Sequence, residues 1–146
     1  MRTPFLLGRL LFGGFFIMNG IHHLQATRQL AQYAGAKKVP KPGLAVRLSG
    51  AMLIAGGTSI LLGVKPKLGA MAILGFLAGV SPVMHDFWNE QSERRMNDMI
   101  NFTKNLALAG GAMALMGVEE PWPVSATPRP SARAQARRFL RETIAA

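Results

Sequence analysis

Long apolar runs alternate with short charged connections along this chain, and four of the runs are long enough to cross a membrane as helices. Pro4 to Leu24, PFLLGRLLFGGFFIMNGIHHL, is the first. At about 1.5 Å per residue it extends roughly 30 Å, the thickness of a bilayer's hydrocarbon core. Its N-terminal position and Arg2 also fit a signal peptide. Arg9 interrupts the apolar region and no small-residue cleavage motif closes it, so the pattern predicts a retained helix. Leu44 to Val64 is the second run, with Ala51, Ala55, Ser59 and Gly63 spaced four apart as a smooth ridge for close packing. A tight basic turn, Lys65-Pro66-Lys67, leads into the third, Leu68 to Met84, whose Gly75 and Gly79 suggest its packing face. The fourth, Asp98 to Val118, follows a polar loop over 86–97 that carries Glu90, Glu93, Arg94 and Arg95.

The connections have patterns of their own. Within 25–43, ATRQLAQYAG predicts a short interfacial helix with Leu30, Tyr33 and Ala34 on one side, and Pro40 and Pro42 stop it before the next span. After Glu119 and Glu120, four prolines make an extended linker. From Ser131, a helix N-cap residue, Ala132, Ala136, Phe139, Leu140 and Ile144 oppose Arg133, Arg137, Arg138 and Arg141. That segment reads either as a basic amphipathic helix lying on anionic lipid or as a disordered basic tail. The expected architecture is therefore all-α: a four-transmembrane-helix bundle over 1–120, then a linker and basic tail over 121–146.

Composition sharpens this picture. Charged residues make up only 16% of the chain, against 49% hydrophobic, and they are sorted into the connections. The net charge of +10 would suggest nucleic acid for a soluble protein, but here the basic residues flank apolar helices and suit anionic headgroups. Membrane lipids are the expected partner and nucleic acid is not. The absence of cysteine removes disulfide exchange, thiolate metal sites, iron–sulfur clusters and covalently attached haem.

Four spans put both termini on one side. That side holds Arg2, Lys65, Lys67 and five tail arginines, against Arg28, Lys37, Lys38, Lys41, Arg94 and Arg95 on the other. The small excess leans towards cytoplasmic termini.

The same topology gathers the polar residues at the far end. Asn19, His22 and His23 close the first span, Arg47 and Ser49 open the second, His85, Asp86 and Trp88 close the third, and Asn101, Lys104 and Asn105 open the fourth. Spacings of three and four place each set on one helix face. An ionisable residue within a membrane helix is a functional hypothesis by default. Three readings compete. His and Trp are ordinary interface anchors while Lys104 snorkels. Alternatively, Lys, His and Asn donate to the carbonyls of a quinone on which Trp88 or Phe87 stacks. The third reading is haem or a metal held by His22, His23 and His85, but adjacent histidines on a helix point about 100° apart, and no metal site is assigned. Arg9 stands apart at the terminal end, in a stripe with Gly13, Phe16 and Gly20. Snorkelling to lipid is its expected role, with a lipid phosphate or a helix C-terminus as other partners.

Four stretches carry a family resemblance: LGRLLFGGFFIMNGIHHL, VPKPGLAVRLSGAMLIAGG, LLGVKPKLGAMAIL and HDFW…KNLALAGG. They resemble the DoxX family of small membrane proteins, over residues 4–118. The resemblance implies a four-helix bundle in the bacterial inner membrane. Some relatives are linked to quinone-coupled oxidation of sulfur compounds, others to quinone or catechol detoxification or to complexes with soluble redox enzymes. The family offers no agreed catalytic set to carry over, and the missing cysteines argue against direct thiol chemistry.

The resulting expectation is a quinone-interacting or redox-associated membrane subunit, with Lys104 and His22 or His23 bonding the carbonyls and His85 and Asp86 relaying protons. As an enzyme it would be a subunit of a quinone-linked oxidoreductase. The alternative is a non-catalytic scaffold that recruits a soluble redox protein through the 86–97 loop or the tail. A homo-oligomer stays open. A transporter would call for internal repeats, and none is evident between the halves.

Overall fold

The computed structural model describes residues 2–126, and the expected tail helix with Arg133, Arg137, Arg138 and Arg141 lies outside them. Five α-helices follow in order: α1 Arg2–Gln25, α2 Thr27–Ala36, α3 Pro42–Leu62, α4 Pro66–Met84 and α5 Ser92–Met116. A 3₁₀ turn at Phe87–Asn89 joins the last two. No strand occurs among the described residues, so the fold is all-α as expected.

Local sequence sets most boundaries. Pro42 and Pro66 open α3 and α4 from the first turn, where a missing N–H costs nothing. Gly63 closes α3 at φ 67°, the left-handed conformation that favours glycine, and Val64 then donates its N–H back to the Ser59 carbonyl at 3.1 Å. The short helix expected between the first two spans is α2. The last helix starts earlier than the apolar pattern indicated, because the polar stretch from Ser92 to Asn97 is also helical.

Helices α1, α3 and α4 are long and apolar enough to cross a membrane. Helix α5, with 25 residues, has the length, but its first turns are polar. The outer surface is apolar: Leu11 and Met18 are 71% and 72% exposed, as suits side chains that face lipid. The interior is correspondingly small, built on Phe16, Leu53, Ile60, Ile73 and Leu77.

Close backbone approach holds the first three spans together, through Ser59 of the expected ridge, which packs on Gly69, and otherwise through different residues. A Cβ on Gly20 would lie 2.6 Å from the Gly50 carbonyl oxygen, and one on Gly57 would lie 2.6 Å from that of Gly13. Helices α1 and α3 therefore touch main chain to main chain at two levels, and Gly56 against Gly69 repeats the arrangement between α3 and α4. The Ala51–Ala55 part of the expected ridge is exposed instead. Gly75 and Gly79 meet nothing within 4 Å, so the packing face of α4 is the one with Gly69, Ala70, Ile73 and Leu77. Small residues at helical spacing occur on several faces of these helices; the face chosen is the one that also brings large apolar side chains inward.

The terminal end is closed by the segment after α5. Trp122 is fully buried, edge-on to Phe5 with ring centroids 5.3 Å apart. Arg9 donates from Nη1 to the Pro123 carbonyl and from Nη2 to that of Val124, both at 3.0 Å. Ala126 N–H reaches the Leu62 carbonyl at 2.9 Å. Arg9, expected to snorkel, is only 6% exposed and ties this strap to the bundle. Its stripe with Gly13, Phe16 and Gly20 is buried as a whole.

Candidate functional site

At the far end, the glycine contacts press the last turns of α1 onto α3. A Cβ on Gly50 would stand 3.0 Å from the His23 Cβ, so the imidazole is laid directly along α3. His23 Nδ1 lies 2.8 Å from Ser49 Oγ, and that hydroxyl donates to the Val46 carbonyl at 2.8 Å. A hydroxyl has one proton, so Nδ1 carries the hydrogen and Nε2 is left as an acceptor. The ring meets Phe76 edge-on at 5.8 Å.

From the other side, α5 supplies Lys104 and Asn105. Lys104 Nζ donates to Asn101 Oδ1 at 2.9 Å, and Asn101 is itself held by the Asn97 carbonyl at 3.0 Å. Asn105 is 8% exposed and has no hydrogen bond to another described residue. Asn19 donates to the Phe15 carbonyl at 2.8 Å.

A cavity of about 160 Å³ lies among these residues, between α1, α4 and α5. Asn19, His23, His85, Lys104 and Asn105 all line it, with Phe15, Phe16 and Phe76 among its apolar walls. Five of the eleven residues expected at this end therefore share one space. A second, mostly apolar groove of about 390 Å³ runs between α2, α3 and α4. His23, Phe76, Val80 and His85 border both.

Four of the remaining expected residues, His22, Asn101, Trp88 and Asp86, sit elsewhere. His22 is exposed and borders neither space. Asn101 reaches the cavity only through Lys104. Trp88 stacks edge-on with Phe87 at 5.0 Å and Phe102 at 5.8 Å, and faces an outer groove between α4 and α5. Asp86 is paired with Lys37, whose ammonium also reaches Glu90 Oε1 at 2.7 Å. These two carboxylates hold the Lys37 ammonium protonated well above the ordinary lysine range.

The partner of His85 is Asp98, not Asp86: Nδ1 lies 3.3 Å from Asp98 Oδ1. Asp98 and Lys37 thus complete an arrangement that the cluster of histidines and asparagines, with Ser49, only outlined. Asp98 could have been found by spacing, since it precedes Asn105 by seven residues on the same face of α5, and both are buried. Lys37 had no such signal, because its partners lie about fifty positions away in sequence.

The histidines do not assemble as ligands. Among the described residues, the one group of three side chains close enough to share a metal is Asp86, Glu90 and Asp98, with oxygens within 4.8 Å of one another, and Lys37 already occupies two of them. What the cavity offers is donor chemistry: an ammonium, a largely buried amide and imidazole nitrogens among aromatic rings. That set suits a flat ligand with carbonyl oxygens.

Comparison with known proteins is consistent with this membrane architecture. The DoxX family model matches residues 5–86. Inner membrane protein YphA of Escherichia coli (strain K12) is 26% identical over 120 residues, covering 82% of this chain and 85% of its own length. No solved structure matches.

Proposed function

Because this chain belongs to the DoxX family, we propose that it is an inner-membrane subunit whose far-end cavity binds the headgroup of a quinone. The location follows the name of its Escherichia coli relative and the three apolar spans. In this reading α5 is the fourth span and both termini are cytoplasmic, so the cavity lies near the periplasmic face.

Asn105 carries the proposal. Its amide opens onto the cavity, where a ligand carbonyl would give it an acceptor. Asn105 is 8% exposed, borders the cavity and bonds no described residue. Lys104, with no carboxylate partner among the described residues, supplies a second donor from the same helix. The volume of about 160 Å³ is comparable with the roughly 150 Å³ that holds a benzene ring in an engineered apolar cavity. Phe76 or Phe16 would stack on the ring in place of Trp88, which faces outward.

The test is quinone content and affinity in protein purified in mild detergent, by chromatography of an organic extract and by titration with a short-chain quinone. Bound quinone near one per chain, lost in Lys104→Ala and Asn105→Leu, is the expected result. Saturating quinone that leaves both protein and ligand signals unchanged would end the proposal.

One observation favours the scaffold reading as a second choice. Trp88 is 51% exposed beside the polar hollow over Asn89–Arg94, an arrangement suited to a soluble redox partner. Loss of an associated redox protein in Trp88→Ala, with no quinone in the wild type, would select that reading.

A further inference from the structure

We infer that Asp98 is the positioning residue for His85, and that this pair opens the cavity to proton exchange with the far-side surface through Asp86 and Glu90. The inference takes its cavity from the reading above, but its test needs no ligand.

The order of groups is set by geometry. His85 borders the cavity, and its Nδ1 lies 3.3 Å from the 8% exposed Asp98. Oxygens of Asp98, Asp86 and Glu90 lie within 4.8 Å of one another, direct or one-water steps. Asp86 and Glu90 are the outer members, each side chain 22% exposed. Lys37 pairs with both of these and leaves Asp98 to His85.

Three carboxylates face one ammonium, and His85 is the imidazole that stands between them and the cavity. The other charged or titratable neighbours are His23 from α1, Lys104 from α5 and Tyr33 from α2, which borders the groove beside His85. With Nδ1–H donated to Asp98, Nε2 is the nitrogen available to a ligand. A proton arriving at Nε2 is matched by one leaving Nδ1 for Asp98, then Asp86 or Glu90, then water; the reverse sequence delivers a proton inward. No electron moves in either direction. The ligand class this serves is one that gains or loses a proton at an oxygen in the cavity.

Nitrogen-15 NMR of histidine-labelled full-length protein in micelles tests this, since the chain has three histidines and His85→Gln assigns the relevant signal. Neutral His85 is expected as the Nδ1–H tautomer in the wild type and in Asp98→Glu, and as Nε2–H in Asp98→Leu. In the double variant Asp86→Asn, Glu90→Gln, which leaves His85 and Asp98 themselves in place, the tautomer stays. Exchange of its Nδ1 proton with water then slows at least tenfold. An Nε2–H wild type, or exchange unchanged or faster in the double variant, overturns the inference. If the wild type passes these tests yet binds no quinone, the proton port stands and the quinone reading falls. If quinone binds but neither the tautomer nor the exchange effect is seen, the quinone reading stands and the port falls.

Discussion

His23 Nδ1 and Ser49 Oγ stand 2.8 Å apart across the α1–α3 interface, and this bond decides which imidazole nitrogen is free at the cavity. With the serine proton donated to Val46, the bond selects the Nδ1–H tautomer of His23. Ser49→Ala should free the ring at a cost of about 1 kcal/mol and weaken quinone binding several-fold. Titration of Ser49→Ala against Ser49→Thr, which keeps the hydroxyl, checks it.

The glycine contacts predict a sharp contrast between faces. Gly57→Ala places a Cβ 2.6 Å from the Gly13 carbonyl oxygen, so α1 must move off α3. Overpacking of this kind costs about 1–3 kcal/mol. Gly75→Ala meets open space and should be neutral or stabilising by up to about 1 kcal/mol through helix propensity. Thermal unfolding in detergent should show a lower Tm for the first only.

Arg9 secures the strap. Arg9→Met removes two charge-assisted bonds to the Pro123 and Val124 carbonyls, each worth about 1.5–3 kcal/mol. Trp122 should then become accessible. The expected result is red-shifted emission, read in a Trp88→Phe background, and faster proteolysis near residue 120. Arg9→Lys should show an intermediate effect, because an ammonium lacks the planar fork that reaches both oxygens.

The pH dependence of the far-side cluster follows from Lys37. Its pKa is raised from 10.5 by hydrogen bonds to Asp86 and Glu90. A cation with a raised folded-state pKa contributes stability that is complete below the unfolded value and is lost as pH rises through the folded value. The wild type should therefore lose stability relative to Lys37→Met as pH climbs above 10.5. The two should differ by a constant amount between about pH 7 and pH 9, below that window. Chemical unfolding across this range, followed at Trp88, measures it.

Much of this protein is determined locally and is legible from the residues alone. Hydropathy and proline placement mark α1, α3 and α4 and the short α2, since a bilayer-spanning helix must be apolar along its whole length. Topology then puts Asn19, His23, His85, Lys104 and Asn105 at one end, and they do line one cavity. What the sequence could not choose was the partner of each group. Gly20 and Gly57, not Ala51 or Gly75, became contact points because large side chains elsewhere had to face inward. Arg9 bonds a strap more than a hundred positions away, His85 takes Asp98 in preference to its neighbour Asp86, and Lys37 takes Asp86. Helix-face periodicity says which residues share a side, but rotation and depth of each helix are settled only when all of them pack. Those two quantities determine which side chains come within hydrogen-bonding reach of one another.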